Sequence, residues 1–308
     1  MPYAEVPPVD HLTCLDLANR RWEGMLQVKP ELGPAVALQR RLIGVVADLT
    51  ATLAAGRPPR LSLPARYVTT KLRSGIPALT GEPVPVPVEQ LRPALNGLVT
   101  ALADGGGGEA TRLIRVALDE GKVDAGALLT LTLRREQALL RSFATKAGLG
   151  HDLLWLVCDL AVGPFAHALL QTVLGDAPPG SPLRAALDEW SRGYCPHCGS
   201  WPAYAEHRGT CRRLRCSFCA AAWDLPFGSC VYCGAADAAP ASVVPDDRRP
   251  ARGVESCTSC RGYIKLVDEP ASLPFPLLPL VDLDSMDLDI LAMQRGAARP
   301  AIRQFARR

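Results

Sequence analysis

Four cysteine pairs of the form Cys-x-x-Cys fall in one short region of the chain: Cys195/Cys198, Cys216/Cys219, Cys230/Cys233 and Cys257/Cys260. Two intervening residues let a tight turn aim both sulfurs at one ion, with backbone N–H groups facing the thiolates. Glycine follows Cys198 and Cys233, which suits the positive φ such a turn requires. Two knuckles supply four sulfurs, the complement of a tetrahedral structural metal site. Seventeen residues separate the first two pairs and twenty-three the last two. Sequential pairing therefore makes two ribbon-like sites. One takes Cys195, Cys198, Cys216 and Cys219; the other takes Cys230, Cys233, Cys257 and Cys260. Ten residues lie between the second and third pairs, so an interleaved pairing also satisfies the spacing.

Such sites are closed, because the protein fills all four positions and leaves none for substrate. The expected cofactors are two tetrathiolate metal ions, with rubredoxin-type iron or zinc as occupant. Cys211, with four residues to Cys216 and two more to Cys219, also matches the ligand spacing of a plant-type [2Fe–2S] centre. That pattern would orphan Cys195 and Cys198, so Cys211 reads as a small buried or partly exposed thiol. Cys14 and Cys158 lie on apolar helix faces and read as core residues. His197 and His207 are surplus as ligands once eight cysteines are counted, and read as exposed or outer positions. Arg208, Arg212, Arg213 and Arg215 cluster beside the second knuckle. The region from Ser191 to Lys265 holds ten basic and six acidic residues, a weak surplus for a phosphate reader. A solvated or partner-facing patch is the expectation, and nucleic-acid binding is disfavoured.

The elements that position these cysteines follow from the rest of the chain. Its 308 residues are 48% hydrophobic and 21% charged, with a net charge of +3. That describes a globular protein with room for two domains. The first residues, MPYAEVPPVDHL, lack the basic and apolar regions of a secretory signal, which predicts a cytoplasmic protein whose eleven cysteines are reduced. The stretch Leu153–Leu174 is the most hydrophobic. It carries Asp159, His167, Gln171 and a Gly163-Pro164 pair, so it is expected as a buried core helix rather than a membrane span. From Asp10 to about Trp190 the periodicity is helical, with about seven helices forming a bundle and one short helix in the linker DAPPGSPLRAALDEW. VDAGALLTLTLRREQALLRSFATKAG reads as one of these helices. The glycines at 105–108 end one helix. Nine of the seventeen aromatic residues lie between Trp190 and Tyr263, as befits a small domain that packs on aromatics and a metal staple.

The fold class expected is α plus small β metal-ribbon modules: an N-terminal helical bundle, then two rubredoxin-like or zinc-ribbon four-cysteine modules. The boundaries are 1–190 for the helical domain, 191–268 for the double four-cysteine domain and 269–308 for an acidic, Pro-containing tail. Between Leu266 and Gln294 the tail holds six acidic residues and no basic one. DLDSMDLDILAM suits a short amphipathic helix that docks on the body. SLPFPLLPL reads as a helix breaker, and RGAARPAIRQFARR as a frayed end. Gly-x-x-x-x-Gly-Lys-Ser/Thr, His-Glu-x-x-His and Gly-x-Ser-x-Gly are all missing, so no catalytic residue is assigned.

GYCPHCGSWP, LRCSFCAAAWDLPFGSCVYCG and ESCTSCRGYIKLVD, set behind a helical half that contains LDLANRRW and HDLLWLVCDLA, resemble the formate dehydrogenase accessory protein family, FdhE. The resemblance implies a non-catalytic cytoplasmic protein that helps mature respiratory formate dehydrogenase and binds its catalytic subunit, with paired rubredoxin-like modules and iron as a candidate metal. Carried over residue by residue, the eight knuckle cysteines become the ligands. Two other readings stand beside it: a zinc-ribbon nucleic-acid-binding protein, and a redox-active iron or thiol protein. Self-association is left open, as is the client-binding surface.

Overall fold

Three helix starts in this chain coincide with short polar side chains that satisfy the free N–H groups of a first turn. Asp10 accepts from Thr13 N at 3.0 Å, Asp124 from Gly126 N at 2.8 Å and Ser181 from Arg184 N at 3.1 Å. The structure is a computed structural model that describes residues 3–4, 10–56, 61–175, 177–208, 210–236, 241–243, 252–267 and 273–303. In chain order the elements are β1 (Tyr3–Ala4), α1 (His11–Val28), α2 (Gly33–Ala55), α3 (Ala65–Arg73), α4 (Val88–Leu102), α5 (Gly108–Asp119), α6 (Ala125–Leu133), α7 (Gln137–Lys146), α8 (His151–Leu170) and α9 (Pro182–Asp188). There follow β2 (Pro202–Arg208), β3 (Cys211–Cys216), β4 (Ala222–Pro226), β5 (Ala241–Val243), β6 (Gly253–Ser256), β7 (Tyr263–Val267), α10 (Leu278–Asp284) and α11 (Met286–Gln294). The chain divides into two compact units. One comprises Val9–Leu61 and Gly81–Leu169; the other comprises Met1–Pro8, Ser62–Thr80 and Leu170–Arg307.

In the helical unit α4 buries Leu91, Leu95, Leu98 and Leu102 along one face and touches α2, α5 and α6. Trp22 Nε1 on α1 donates to Gln39 Oε1 on α2 at 2.8 Å. Helix α8 is long and apolar enough to cross a membrane, yet Leu154, Val157, Cys158, Val162 and Phe165 are buried inside the protein. Its Asp159 pairs with the buried Arg135 guanidinium, which also lies 4.8 Å from the Trp155 ring. Cys14 and Cys158 are both buried, as expected. Among the described residues the helical half carries nine helices, more than expected. Helix α3 was hidden behind the proline-rich RPPRLSLPARY. The stretch read as one helix from Val123 to Gly148 is divided into α6 and α7. It breaks at Arg135, whose φ is 59°. Glu136 N donates to Leu131 O and Arg135 N to Thr132 O, both at 2.9 Å. That is a helix-ending turn with arginine where glycine normally signals it.

The second unit is built on one seven-stranded sheet of order β1-β4-β3-β2-β7-β6-β5. All its pairings are antiparallel except β2 with β7, where Ala205 faces Leu266 and Glu206 faces Val267. Strands β2, β3 and β4 form one ribbon and β5, β6 and β7 the other, so the parallel pair fuses two modules into a single sheet. Aromatic rings join them as well. Trp190–Tyr194, Tyr194–Trp201 and Trp201–Tyr232 meet edge to face at 5.5, 6.0 and 5.1 Å.

The acidic tail serves this sheet. SLPFPLLPL opens α10 rather than breaking a helix, because its Pro279 sits in the first turn, where a missing N–H costs nothing. Helix α11 buries Leu288 and Ala292 with Val254, Tyr263 and Ala297. Fully buried Lys265 of β7 reaches Asp282 at 2.6 Å and Asp289 at 2.7 Å. Arg299 reaches the same two carboxylates at 2.9 and 3.0 Å, and Arg252 takes Asp287 at 2.6 Å. The terminal stretch read as frayed is therefore docked through residue 303, with Trp201 Nε1 donating to Ala301 O at 2.8 Å; residues 304–308 lie outside the described residues.

Partial burial pushes the Asp282 carboxyl up, but the Arg299 and Lys265 charges outweigh it and hold the group below its ordinary 3.8. A depressed folded-state value contributes stability above the unfolded value and loses it as pH falls through the folded one. The difference in unfolding free energy between wild type and Asp282→Asn should therefore be largest near neutral pH and shrink below about pH 4. Denaturant titrations of both proteins across that range measure it. Asp289→Ala, which strips one carboxylate from buried Lys265 and the partner of the Tyr263 hydroxyl (2.7 Å), should cost about 3 kcal/mol.

Candidate metal centres

All four knuckles adopt the same turn. The N–H of the first cysteine donates to a carbonyl five residues on: Cys195 to Ser200, Cys216 to Ala221, Cys230 to Ala235 and Cys257 to Gly262, at 2.9–3.0 Å. Further N–H groups point at sulfur, His197 N to Cys195 Sγ at 3.4 Å, Phe218 N to Cys216 Sγ at 3.4 Å and Tyr232 N to Cys230 Sγ at 3.3 Å. The residue after each second cysteine has positive φ: Gly199 at 78°, Ala220 at 60°, Gly234 at 75° and Arg261 at 57°. Glycine adopts that conformation freely. Alanine and arginine do so at a cost of about 1–2 kcal/mol each, which only a fixed turn would sustain.

The turns bring the eight cysteines together as two tetrads in sequential pairing. Cys195, Cys198, Cys216 and Cys219 form one and Cys230, Cys233, Cys257 and Cys260 the other, with the sulfurs of each within 4.8 Å of one another. The cross-knuckle separations are 3.6 Å for Cys195–Cys219, 3.5 Å for Cys198–Cys216, 3.6 Å for Cys230–Cys260 and 3.7 Å for Cys233–Cys257. Four sulfurs at ~2.3 Å from one ion at tetrahedral angles stand ~3.8 Å apart. The donor set and its spacing thus fit zinc or a single iron. Each module supplies its ligands in the same way, one knuckle ahead of the first strand of its ribbon and one between the last two. Cys211 lies outside both tetrads, its Sγ donating to Arg208 O at 3.3 Å.

Burial drives the thiols of Cys195 and Cys219 well above their ordinary value of 9.0. Cys257 is different. Desolvation raises it, but N–H groups of Cys260 and Ser259 and the thiols of Cys230 and Cys233 bring it down to about 7. A cation that draws protons out of such thiols binds less tightly as pH falls.

Several residues that hold the first site carry no mark in the sequence. Ala78 N donates to Pro196 O at 2.8 Å and Leu79 N to His197 O at 2.9 Å, so a strap between α3 and α4 lies along the CPHC turn. Buried Lys71 secures the strap through Ala78 O at 2.8 Å and Thr80 O at 2.6 Å, and Tyr194 Oη donates to Gly75 O at 2.8 Å. His197 is buried within the turn, and His207 is exposed beside Phe227 at 5.2 Å. The modules also interlock at Gly193, where a Cβ would lie 1.7 Å from Val231 O inside the third knuckle.

The arginine cluster is not a solvated or partner-facing patch. Arg212 is buried and pairs with Glu255, while donating to Pro226 O at 3.0 Å and Ser229 O at 2.8 Å. Arg215, fully buried, donates to Leu273 O at 2.8 Å; Arg213 takes Asp224 at 2.8 Å and Arg208 takes Glu206 at 3.0 Å. Arg213 bridges the β3–β4 pair, Arg212 ties β3 to β6, and the Arg208–Glu206 pair lies within β2.

Fold and site together define a protein with tandem ribbon modules of four cysteines each, joined to a helical unit. No family model matches the chain. The FdhE homologue of Pseudomonas aeruginosa is 27% identical over 274 residues, 85% of this chain and 81% of that protein. The FdhE homologue of Aquifex aeolicus is 30% identical over 115 residues, and FdhE of Escherichia coli O127:H6 33% identical over 120. These two matches cover 35% and 37% of this chain and only 40% and 38% of those relatives. The crystal structure of the P. aeruginosa FdhE protein shares the fold, with a TM-score of 0.59 over 98% of this chain and 97% of that one at 23% identity. The chain is thus similar in sequence to FdhE proteins and shares the fold of the solved P. aeruginosa one.

Two substitutions test the geometry. Gly193→Ala forces the third knuckle aside and should lower stability by about 3 kcal/mol while reducing bound metal from two ions per chain towards one. Ala220→Gly, which relieves the left-handed backbone, should keep full metal content and raise thermal stability slightly. Elemental analysis and a melting curve on each variant read both effects.

Proposed function

We propose that this chain is a non-catalytic accessory protein for the maturation of formate dehydrogenase, and that it recognises that enzyme's catalytic subunit in the cytoplasm. The eight knuckle cysteines serve as ligands for two ions, iron or zinc, and both ions act as staples for the sheet. The observation that carries this reading is the closed tetrad. Every donor position is a protein sulfur, so the sites suit holding a surface in shape better than activating a substrate. The FdhE resemblance supplies the client. The arginine cluster was the feature that favoured nucleic acid, and its charges are engaged in internal ion pairs.

A pull-down of the tagged full chain from its own host, grown to express formate dehydrogenase, tests the proposal by mass spectrometry. Enrichment of the catalytic subunit is expected, with loss of at least about tenfold, equivalent to 1.4 kcal/mol, when Cys195 and Cys198 are both changed to Ala. Recovery of nucleic acid or transcription machinery in place of that subunit would overturn it.

A further inference from the structure

The two tetrads share ligands and turns but not surroundings. In the first, Cys195, Cys216 and Cys219 are fully enclosed and Cys198 is 6% exposed; the strap from Gly75 to Thr80 hydrogen-bonds along its turn. In the second only Cys257 is buried. Cys230 is half-buried, and Cys233 and Cys260 are exposed. Each knuckle of the second site thus contributes one more sheltered cysteine and one exposed cysteine. The exposed ones pair across the site with the sheltered ones, Cys260 with Cys230 at 3.6 Å and Cys233 with Cys257 at 3.7 Å. Below them a hollow of about 10 Å³, lined by Arg212, Ser229, Cys230, Glu255 and Cys257, has room for one water molecule.

Ligand exchange at a tetrathiolate needs a donor to reach a sulfur. At an enclosed site that demands local unfolding first, whereas at an open site it does not. Thiolate reactivity towards electrophiles and oxidants follows exposure in the same way. We propose that the second tetrad is the exchange site of this protein, where soft metal ions enter and leave and thiol-directed reagents attack through Cys233 and Cys260, while the first is a permanent staple. This rests on the reading that both tetrads bind metal. The exchange is redox-neutral. An incoming thiolate takes the donor position of Cys233 or Cys260, and the displaced sulfur leaves as thiolate and takes a proton from water.

The test uses the full-length protein loaded with zinc and needs no variant. Its metal content is measured first, and two ions per chain are expected. The protein is then mixed with excess 4-(2-pyridylazo)resorcinol, and in parallel with limiting N-ethylmaleimide followed by peptide mass spectrometry. Cys211, partly exposed and outside both tetrads, gives the label's reference reactivity. The proposal expects one zinc to leave about 100-fold faster than the other, the gap set by the opening the first site requires. It also expects Cys233 and Cys260 to be labelled during the fast phase, with Cys195, Cys198, Cys216 and Cys219 spared. Release in a single phase, equal labelling of both tetrads, or earlier labelling of the first would overturn it. A zinc content near zero would instead remove the metal-binding reading and the exchange site with it.

Discussion

Four thiol sulfurs gathered within 4.8 Å in the protein interior cannot ionise together without a cation at their centre, and as neutral thiols they attract one another only weakly. The rest of the second unit depends on how this constraint is met. Each knuckle turns its backbone N–H groups towards sulfur and closes on itself through a carbonyl five residues away. The turn is thereby stiff before any ion binds, and an ion converts two turns distant in sequence into one rigid corner. Ala220 and Arg261 accept left-handed backbone for the sake of this shape.

Those corners add to an aliphatic core that includes Leu214, Leu225, Val254, Ile264, Leu277 and Leu280. Polar and aromatic contacts supplement that core. The buried Lys265 amine and the Arg299 guanidinium share Asp282 and Asp289 under the tail helices, and Arg212 ties β3 to β6 through Glu255. Burying charges in this way gains little net stability compared with apolar packing. It does penalise any register in which a charge loses its partner, so it favours one arrangement of two similar ribbons over the alternatives. The parallel β2–β7 pair and the close approach of Gly193 to Val231 then make the modules one body.

The same framework leaves the two metal corners unequally protected. A strap drawn from between α3 and α4 runs along the first, while two cysteines of the second are exposed. Two sites that read as copies in the sequence thus differ in what can reach them, and a difference in access is enough to separate a structural role from a reactive one.

The eight cysteines that gather as two tetrads, the ribbon character of their surroundings and the helical nature of the first half were legible in the sequence, because Cys-x-x-Cys spacing, turn residues and 3.6-residue periodicity are local properties. The sequential pairing of the knuckles was one of two arrangements that spacing allowed, and strand pairing decided it. Helix α3 and the α6–α7 break escaped notice. A proline-rich flank masked the first, and at the second a buried arginine paired with Asp159 takes the place of the usual glycine. The roles of the charges were equally out of reach. Arg212 and Arg215 look like surface residues by type, and only the approach of neighbouring strands and the C-terminal segment makes them interior. The tail aspartates stay partly exposed and pair with Lys265, Arg252 and Arg299. By itself the sequence determined which atoms can bind metal and which backbone turns present them, since both are set within a few residues. The tertiary structure alone decided which thiols share a site, which of them are sealed and which charges are neutralised, because those depend on groups brought together from tens to more than a hundred residues apart.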